Sequence, residues 1–174
     1  MIRITAYLFY KIYGYEALNL LFRILPSRFV VKILRQFGAQ VGENVRILSP
    51  FCIHNADGLE PIFQNLVIGN EVFIGRYAFI DLASKVSIGD RTTISHHCSL
   101  HTHMDVGNYN CLKEALPKTY KPIEIEKDVY LGANTSVLNG VAICQKTIIG
   151  ANSLVNKNIT VPGVYFGSPA KLKL

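Results

Sequence analysis

Beyond Gly38 the apolar residues of this chain return at every sixth position. Val41, Ile47 and Ile53 open the series. After an irregular stretch over residues 55–65 it resumes at Ile68, Ile74 and Ile80, and after a slip of two residues at Ile88, Ile94 and Leu100. The later half is stricter, with Ile125, Leu131, Val137, Ile143, Ile149 and Val155 in one unbroken frame and Val129, Thr135, Val141, Thr147 and Ser153 four positions behind the first five. Glycine follows the aliphatic residue at Gly42, Gly69, Gly75, Gly89, Gly132 and Gly150. A short strand and a turn in every six residues predict a three-sided coil, with glycine supplying permissive dihedrals at the corners. Eighteen residues then complete a rung, and rungs stack about 4.8 Å apart. The expectation is an all-β parallel solenoid of about five coils, whose hand the period does not give. Ahead of it, residues 2–25 read as one helix or two short ones. Phe29, Val30, Ile33, Leu34 and Phe37 share one face of a helix over residues 28–37 that Gly38 would cap. The organisation expected is a helical segment over 1–38, a solenoid over 39–160 with a loop inserted at 101–122, and a tail over 161–174.

Composition narrows the setting. The net charge of +6 is concentrated at one end: residues 1–37 hold Arg3, Lys11, Arg23, Arg28, Lys32 and Arg35 against Glu16 alone, or +5. The body, with 12 basic and 11 acidic groups, offers no nucleic-acid groove, whereas the N-terminal segment has the balance of a face that rests peripherally on an anionic membrane or is simply solvated. Arg3, Lys11, Glu16 and Arg23 cut the apolar N-terminus into runs too short for a membrane span. Cys52, Cys98, Cys111 and Cys144 lie far apart without a paired motif, which suits a reduced, cytoplasmic chain.

The candidate chemistry gathers where the repeat breaks. Four of the five histidines, His96, His97, His101 and His103, fall within S-H-H-C-S-L-H-T-H-M-D, residues 95–105. The excursion that follows carries Asp105, Lys113, Glu114, Lys118 and Lys121 before the period resumes at Ile125. Solenoids confine insertions to loops on one face, and a loop this long in a repeat protein is usually functional. Histidine in such a place suits proton transfer or metal ligation.

The pattern [LIV]-G-x-x-[STAV]-x, the histidine-bearing loop and the ending V-N-K-N-I-T-V-P-G-V-Y-F-G-S-P-A-K together resemble the hexapeptide-repeat acyltransferases, over residues 39–171. Within them the sequence is most similar to the sugar and polysaccharide O-acetyltransferases. The resemblance implies a left-handed β-helix and a homotrimer with active sites between subunits. It also implies acetyl-CoA as donor, a carbohydrate hydroxyl as acceptor, and no metal. By position the catalytic histidine would be His103, with His101 its rival, since a shift of two residues exchanges them. As general base it would need a carbonyl or carboxylate on its other ring nitrogen, with Asp105 and Asp81 the candidates. The resemblance further suggests the backbone amide of Ala133 for the oxyanion, contacts of the pantetheine arm at Ala133 and Ala151, and nucleotide contacts at Asn156, Lys157 and Lys171. Lys171 stands where many relatives have arginine, so bidentate recognition of phosphate is in doubt there.

Two other enzyme readings share the scaffold. His96 and His101, five apart, resemble the I-G-H-x-x-x-x-H of γ-class carbonic anhydrases, yet a third zinc ligand is missing because His54 lacks that family's surrounding pattern. Acyl transfer to the amino group of a nucleotide sugar is the other. A non-catalytic scaffold is a further possibility, against which the dense loop histidines argue.

Overall fold

Each aliphatic of the sixfold series falls on a strand of two to four residues and, apart from the half-buried Val41, is buried, while the residue just before it on the strand stays partly or fully exposed. In the computed structural model, which describes residues 2–56, 58, 60–107 and 111–173, these strands form three parallel sheets, the faces of a triangular prism. The first sheet holds Gln40–Val41, Leu66–Ile68, Val86–Ile88, Ile123–Ile125 and Ala142–Ile143. The second holds Arg46–Ile47, Phe73–Ile74, Thr93–Ile94, Tyr130–Leu131 and Ile148–Ile149, and is extended by Val164–Phe166 and the antiparallel Lys171–Leu172. The third holds Phe51–His54, Ala78–Asp81, Ser99–Leu100, Ser136–Val137 and Leu154–Val155. The chain visits the sheets in that order on each of five coils. Register is strict: Ile47, Ile74, Ile94, Leu131 and Ile149 pair in succession and are all buried. Parallel in-register stacking lets identical side chains meet at every rung, so the core is a set of aliphatic ladders.

The second register lies at the corners. Val129, Thr135, Val141, Thr147 and Ser153 are buried there, and their hydroxyls serve the turning backbone: Ser153 Oγ donates to the Gly150 carbonyl at 2.7 Å and Thr135 Oγ1 to the same oxygen at 3.3 Å. A small hydroxyl residue thus fills a corner and answers a carbonyl that a strand would otherwise pair.

The corner glycines have a different reason from the one expected. The residue in the left-handed region stands two places later, Arg91 (φ 54°) after Gly89 and Asn134 (φ 59°) after Gly132. The glycine is required by the next coil, because a Cβ on Gly89 would meet Lys127 N at 2.5 Å and one on Gly132 would meet Ala151 N at 2.5 Å. Backbone on the facing coil has no room to yield. Gly89→Ala is therefore expected to lower unfolding free energy by about 1–3 kcal/mol, read as a lower denaturant midpoint at unchanged slope.

Helices α1 (Ile2–Tyr13), α2 (Glu16–Phe22) and α3 (Ser27–Gln36) close the open end of the first coil. Leu18, Phe22, Val30, Ile33 and Leu34 are fully buried, and Phe22 packs on Phe51 and Phe63 with ring centroids 5.8 and 6.0 Å apart. Polar side chains from the helical segment satisfy the first coil's free edge. Ile47 N–H donates to Ser27 Oγ at 2.8 Å, while Asn19 accepts from Ile53 N–H at 3.0 Å and donates to its carbonyl at 2.8 Å. An uncovered edge would invite pairing with another chain.

Candidate active site

The inserted arm leaves the prism after Leu100, at the corner where the third sheet turns toward the first. Its base is a two-residue antiparallel ladder, His103 opposite Tyr120 and Met104 opposite Thr119, and residues 108–110 lie outside the described residues. Pinning both strands of the arm fixes the histidine that starts it.

Beneath His103 lies Asp81, on the preceding coil and fully buried. Its Oδ2 is 2.6 Å from His103 Nδ1. The same oxygen accepts from the backbone N–H of Thr102 at 2.7 Å, the Thr102 hydroxyl at 2.8 Å and the His103 N–H at 3.0 Å. Its Oδ1 accepts from Asn55 Nδ2 at 2.9 Å and the Ala83 N–H at 3.2 Å. Burial alone would raise the pKa of this carboxyl; the hydrogen bonds from His103, Asn55, Thr102 and Ala83 overcome it and hold the pKa at about 2. Asp81 is thus a carboxylate at neutral pH. Facing an anion at 2.6 Å, Nδ1 carries the ring proton, which leaves Nε2 as the bare, basic nitrogen. Asn55 Nδ2 also stands 3.2 Å from Nδ1, but its protons have the Asp81 oxygen to serve.

His103 opens into a cavity of about 380 Å³ lined by Asn55, Leu82, Ala83, Asp105, Lys118 and Tyr120. Its side chain is 25% exposed, enough for a substrate to reach the ring. Of the two carboxylates expected to orient it, Asp81 makes the contact. Asp105 turns instead to Lys118, 2.9 Å away, whose charge together with the Gly107 N–H lowers the Asp105 pKa. Contacts with Tyr120 and then Asp105 raise the pKa of Lys118, which stays cationic on the cavity wall. His101, the rival, packs its ring on Phe79 at 5.5 Å, where burial lowers its pKa. His96 and His97 sit exposed at the opposite edge of the third sheet. His96 Nδ1 accepts from the Arg76 N–H at 3.0 Å, and His97 stacks on Tyr77 at 4.7 Å. Among the described residues no group of three or more potential ligands converges as a metal site would need.

The remaining candidates divide between two edges. Ala133 and Ala151 stack one coil apart where the second sheet turns into the third, with Asn152 N–H donating to the Ala133 carbonyl at 2.8 Å. Asn156 and Lys157 lie exposed on His103's own edge, two coils further along the axis, and Lys171 is exposed on the last strand of the second sheet. The full width of the third sheet therefore separates Ala133 from His103 within one chain. Asn55 and Tyr120, which help complete the cavity, were not singled out in the sequence, and Lys118 stood there only among the charged residues of the inserted loop, with no role given to it. The one signal near them was the slip after Ile80, where the coil lengthens and Asp81 turns inward.

Residues 122–157 match the family model described as the hexapeptide repeat of succinyl-transferase. The chain is 30% identical over 154 residues to the galactoside O-acetyltransferase of Lactococcus lactis, spanning 82% of this chain and 66% of that relative. It is also 28% identical to a putative colanic acid biosynthesis acetyltransferase of Escherichia coli K12, over 79% of this chain and 70% of the relative. The chain belongs to the hexapeptide-repeat acyltransferases. Among solved structures of that family, a Vibrio cholerae acetyltransferase determined with acetyl coenzyme A superposes with a TM-score of 0.76, at 23% identity, covering 98% of this chain and 84% of that one. At such identity the likeness is one of fold, and it makes the prism a left-handed β-helix like other hexapeptide-repeat acyltransferases.

Proposed function

We propose that this hexapeptide-repeat protein is an acetyl-CoA-dependent O-acetyltransferase of the cytoplasm that acylates a carbohydrate hydroxyl. The observation that carries the reading is the buried Asp81 carboxylate 2.6 Å from His103 Nδ1, which readies Nε2 to accept a proton in an open cavity. As the acceptor oxygen attacks the thioester carbonyl carbon, its proton passes to Nε2. The C–O bond forms, the C–S bond then breaks, and the imidazolium returns the proton to the departing thiolate. Asp81 stabilises the imidazolium in between. The transient oxyanion requires a fixed donor, for which the Ala133 N–H is our candidate.

Ala133 and Ala151 stand on the edge opposite His103, so they meet it only if a second copy presents that edge. This split supports a homotrimer whose sites lie between subunits. The small side chains at Ala133 and Ala151 leave room for a pantetheine arm against backbone, while Asn156, Lys157 and Lys171 offer an amide and two cations to the nucleotide phosphates. A second cavity, about 420 Å³, suits the acceptor. Glu16, Asn19 and Arg23 supply hydrogen-bonding groups on one side and Phe79 an apolar ring on the other. Phe79 lies 5.6 Å from His54, which lies 6.3 Å from His103, so this cavity adjoins the catalytic edge.

Thiol release from acetyl-CoA, measured with a panel of glycosides and amino sugars, tests the reading. Glycoside-dependent release by a trimer is the expected result. Release with amino sugars alone would reassign the acceptor to nitrogen. Stoichiometric tightly bound zinc without any release, or a lone monomer in sedimentation, would overturn the proposal.

A further inference from the structure

Helix α1 sets Ala6 against the body with Ile2 and Tyr10 beside it. The helical period then directs Ile4, Leu8 and Ile12, four residues apart, to the opposite side. They are 67%, 53% and 68% exposed. Phe9 and Tyr13 flank the row, their rings 6.2 Å apart, and Tyr7 lies beneath the Lys11 ammonium on the other flank. At 12 residues, α1 is about 18 Å long, too short to cross a bilayer and too apolar on its outer side to be an ordinary solvated helix.

Beside this row, between α1 and α3, Arg3, Lys32, Arg35 and Gln36 line a cleft of about 360 Å³. Among the described residues Arg35 is the member of this group held in an ion pair, with Glu43 at 2.9 Å, so three cations face one anion. The cleft and the apolar row share one end of the prism, the end capped by the helices, and residues 1–37 carry a net +5.

We infer that this end docks on an anionic lipid bilayer. α1 lies in the interface, Ile4, Leu8 and Ile12 enter the acyl boundary, and Arg3 and Lys32 meet lipid phosphates. Charge decides against a second copy as the occupant, because joining two such ends would bring two +5 segments together, whereas an anionic surface complements them. Docking by the capped end leaves the prism edges, and so His103, open to solvent and to neighbouring subunits. The inference rests on no catalytic assignment.

Flotation of the full chain with vesicles of phosphatidylcholine mixed with phosphatidylglycerol, and with phosphatidylcholine alone, is the test. The protein should float with the anionic vesicles and dissociate as salt rises. Arg3→Gln with Lys32→Gln should reduce the partition coefficient roughly 25-fold, at about fivefold per cation near the surface. Leu8→Gln with Ile12→Gln should weaken it further through lost apolar burial. All four side chains are exposed, so circular dichroism and thiol release should be unchanged. The proposal is overturned if the wild-type chain stays in the aqueous fraction, if it floats equally with neutral vesicles, or if the polar variants instead dissolve an assembly larger than the trimer.

Discussion

Replacing His103 by alanine should lower the rate of acetyl transfer by about 10²- to 10⁴-fold, the span over which a positioned general base contributes. The protein should stay folded and keep its oligomeric state. The reason is that Asp81 retains its other donors, the Thr102 amide and hydroxyl, the His103 and Ala83 amides and Asn55, when the imidazole goes. The loss should appear in kcat, with little change in KM for acetyl-CoA, because Nε2 acts on the acceptor's proton and does not hold the nucleotide. Added imidazole should restore part of the rate, since the excised ring leaves space beside an intact carboxylate. His101→Ala supplies the contrast. Its ring packs on Phe79, and among the described residues no carboxylate is hydrogen-bonded to it as Asp81 is to His103, so most activity should survive. Full activity in His103→Ala, or a collapse in His101→Ala alone, would reverse the two roles.

The sixfold period carried most of the fold because every rung repeats one geometric demand, an inward aliphatic and a tight corner, and five repetitions leave no doubt about the frame. The reason for the corner glycines was not legible, since backbone clash at Gly89 and Gly132 depends on what lies one coil above, 38 and 19 residues later at Lys127 and Ala151. The site was legible only in part for a related cause. His103 was visible through the break in period, but its partner stands 22 residues earlier, and register alone decides whether Asp81 or Asp105 reaches the ring. A carboxylate two residues from the histidine is the nearer choice along the chain. In space, the arm's antiparallel start carries Asp105 across to Lys118 instead. Asn55 was hidden in the irregular stretch after Ile53, where no period marks a side chain's direction. Charge segregation in residues 1–37 could be read directly, whereas the outward row on α1 became visible only once Ala6 was seen to be the inward point of the helix.

Asp81→Asn should injure both the fold and the chemistry, more than its isosteric form suggests. One oxygen, Oδ2, accepts four hydrogen bonds in a fully buried position, and the other accepts two. An amide in its place presents N–H to donors on one side or the other. If it replaces Oδ2, the Thr102 and His103 amides lose their acceptor; if it replaces Oδ1, Asn55 and Ala83 do. Each unmet buried donor costs about 1–3 kcal/mol, so the expected destabilisation is about 3 kcal/mol or more. The chemistry should suffer as well, because a neutral neighbour no longer fixes the ring proton on Nδ1 or stabilises the imidazolium, and a rate loss on the order of 10²-fold or greater follows. The pH dependence separates this account from simple loss of packing. Asp81 has a folded pKa of about 2 against an ordinary 3.8, so it contributes about 2 kcal/mol that is fully present above the ordinary value and disappears as pH falls toward 2. Denaturant unfolding of wild type and variant should therefore differ most at neutral pH and draw together as pH falls from about 4 toward 2. A stability gap that stayed constant down to that acid limit would mean that charge on Asp81 contributes nothing to the fold.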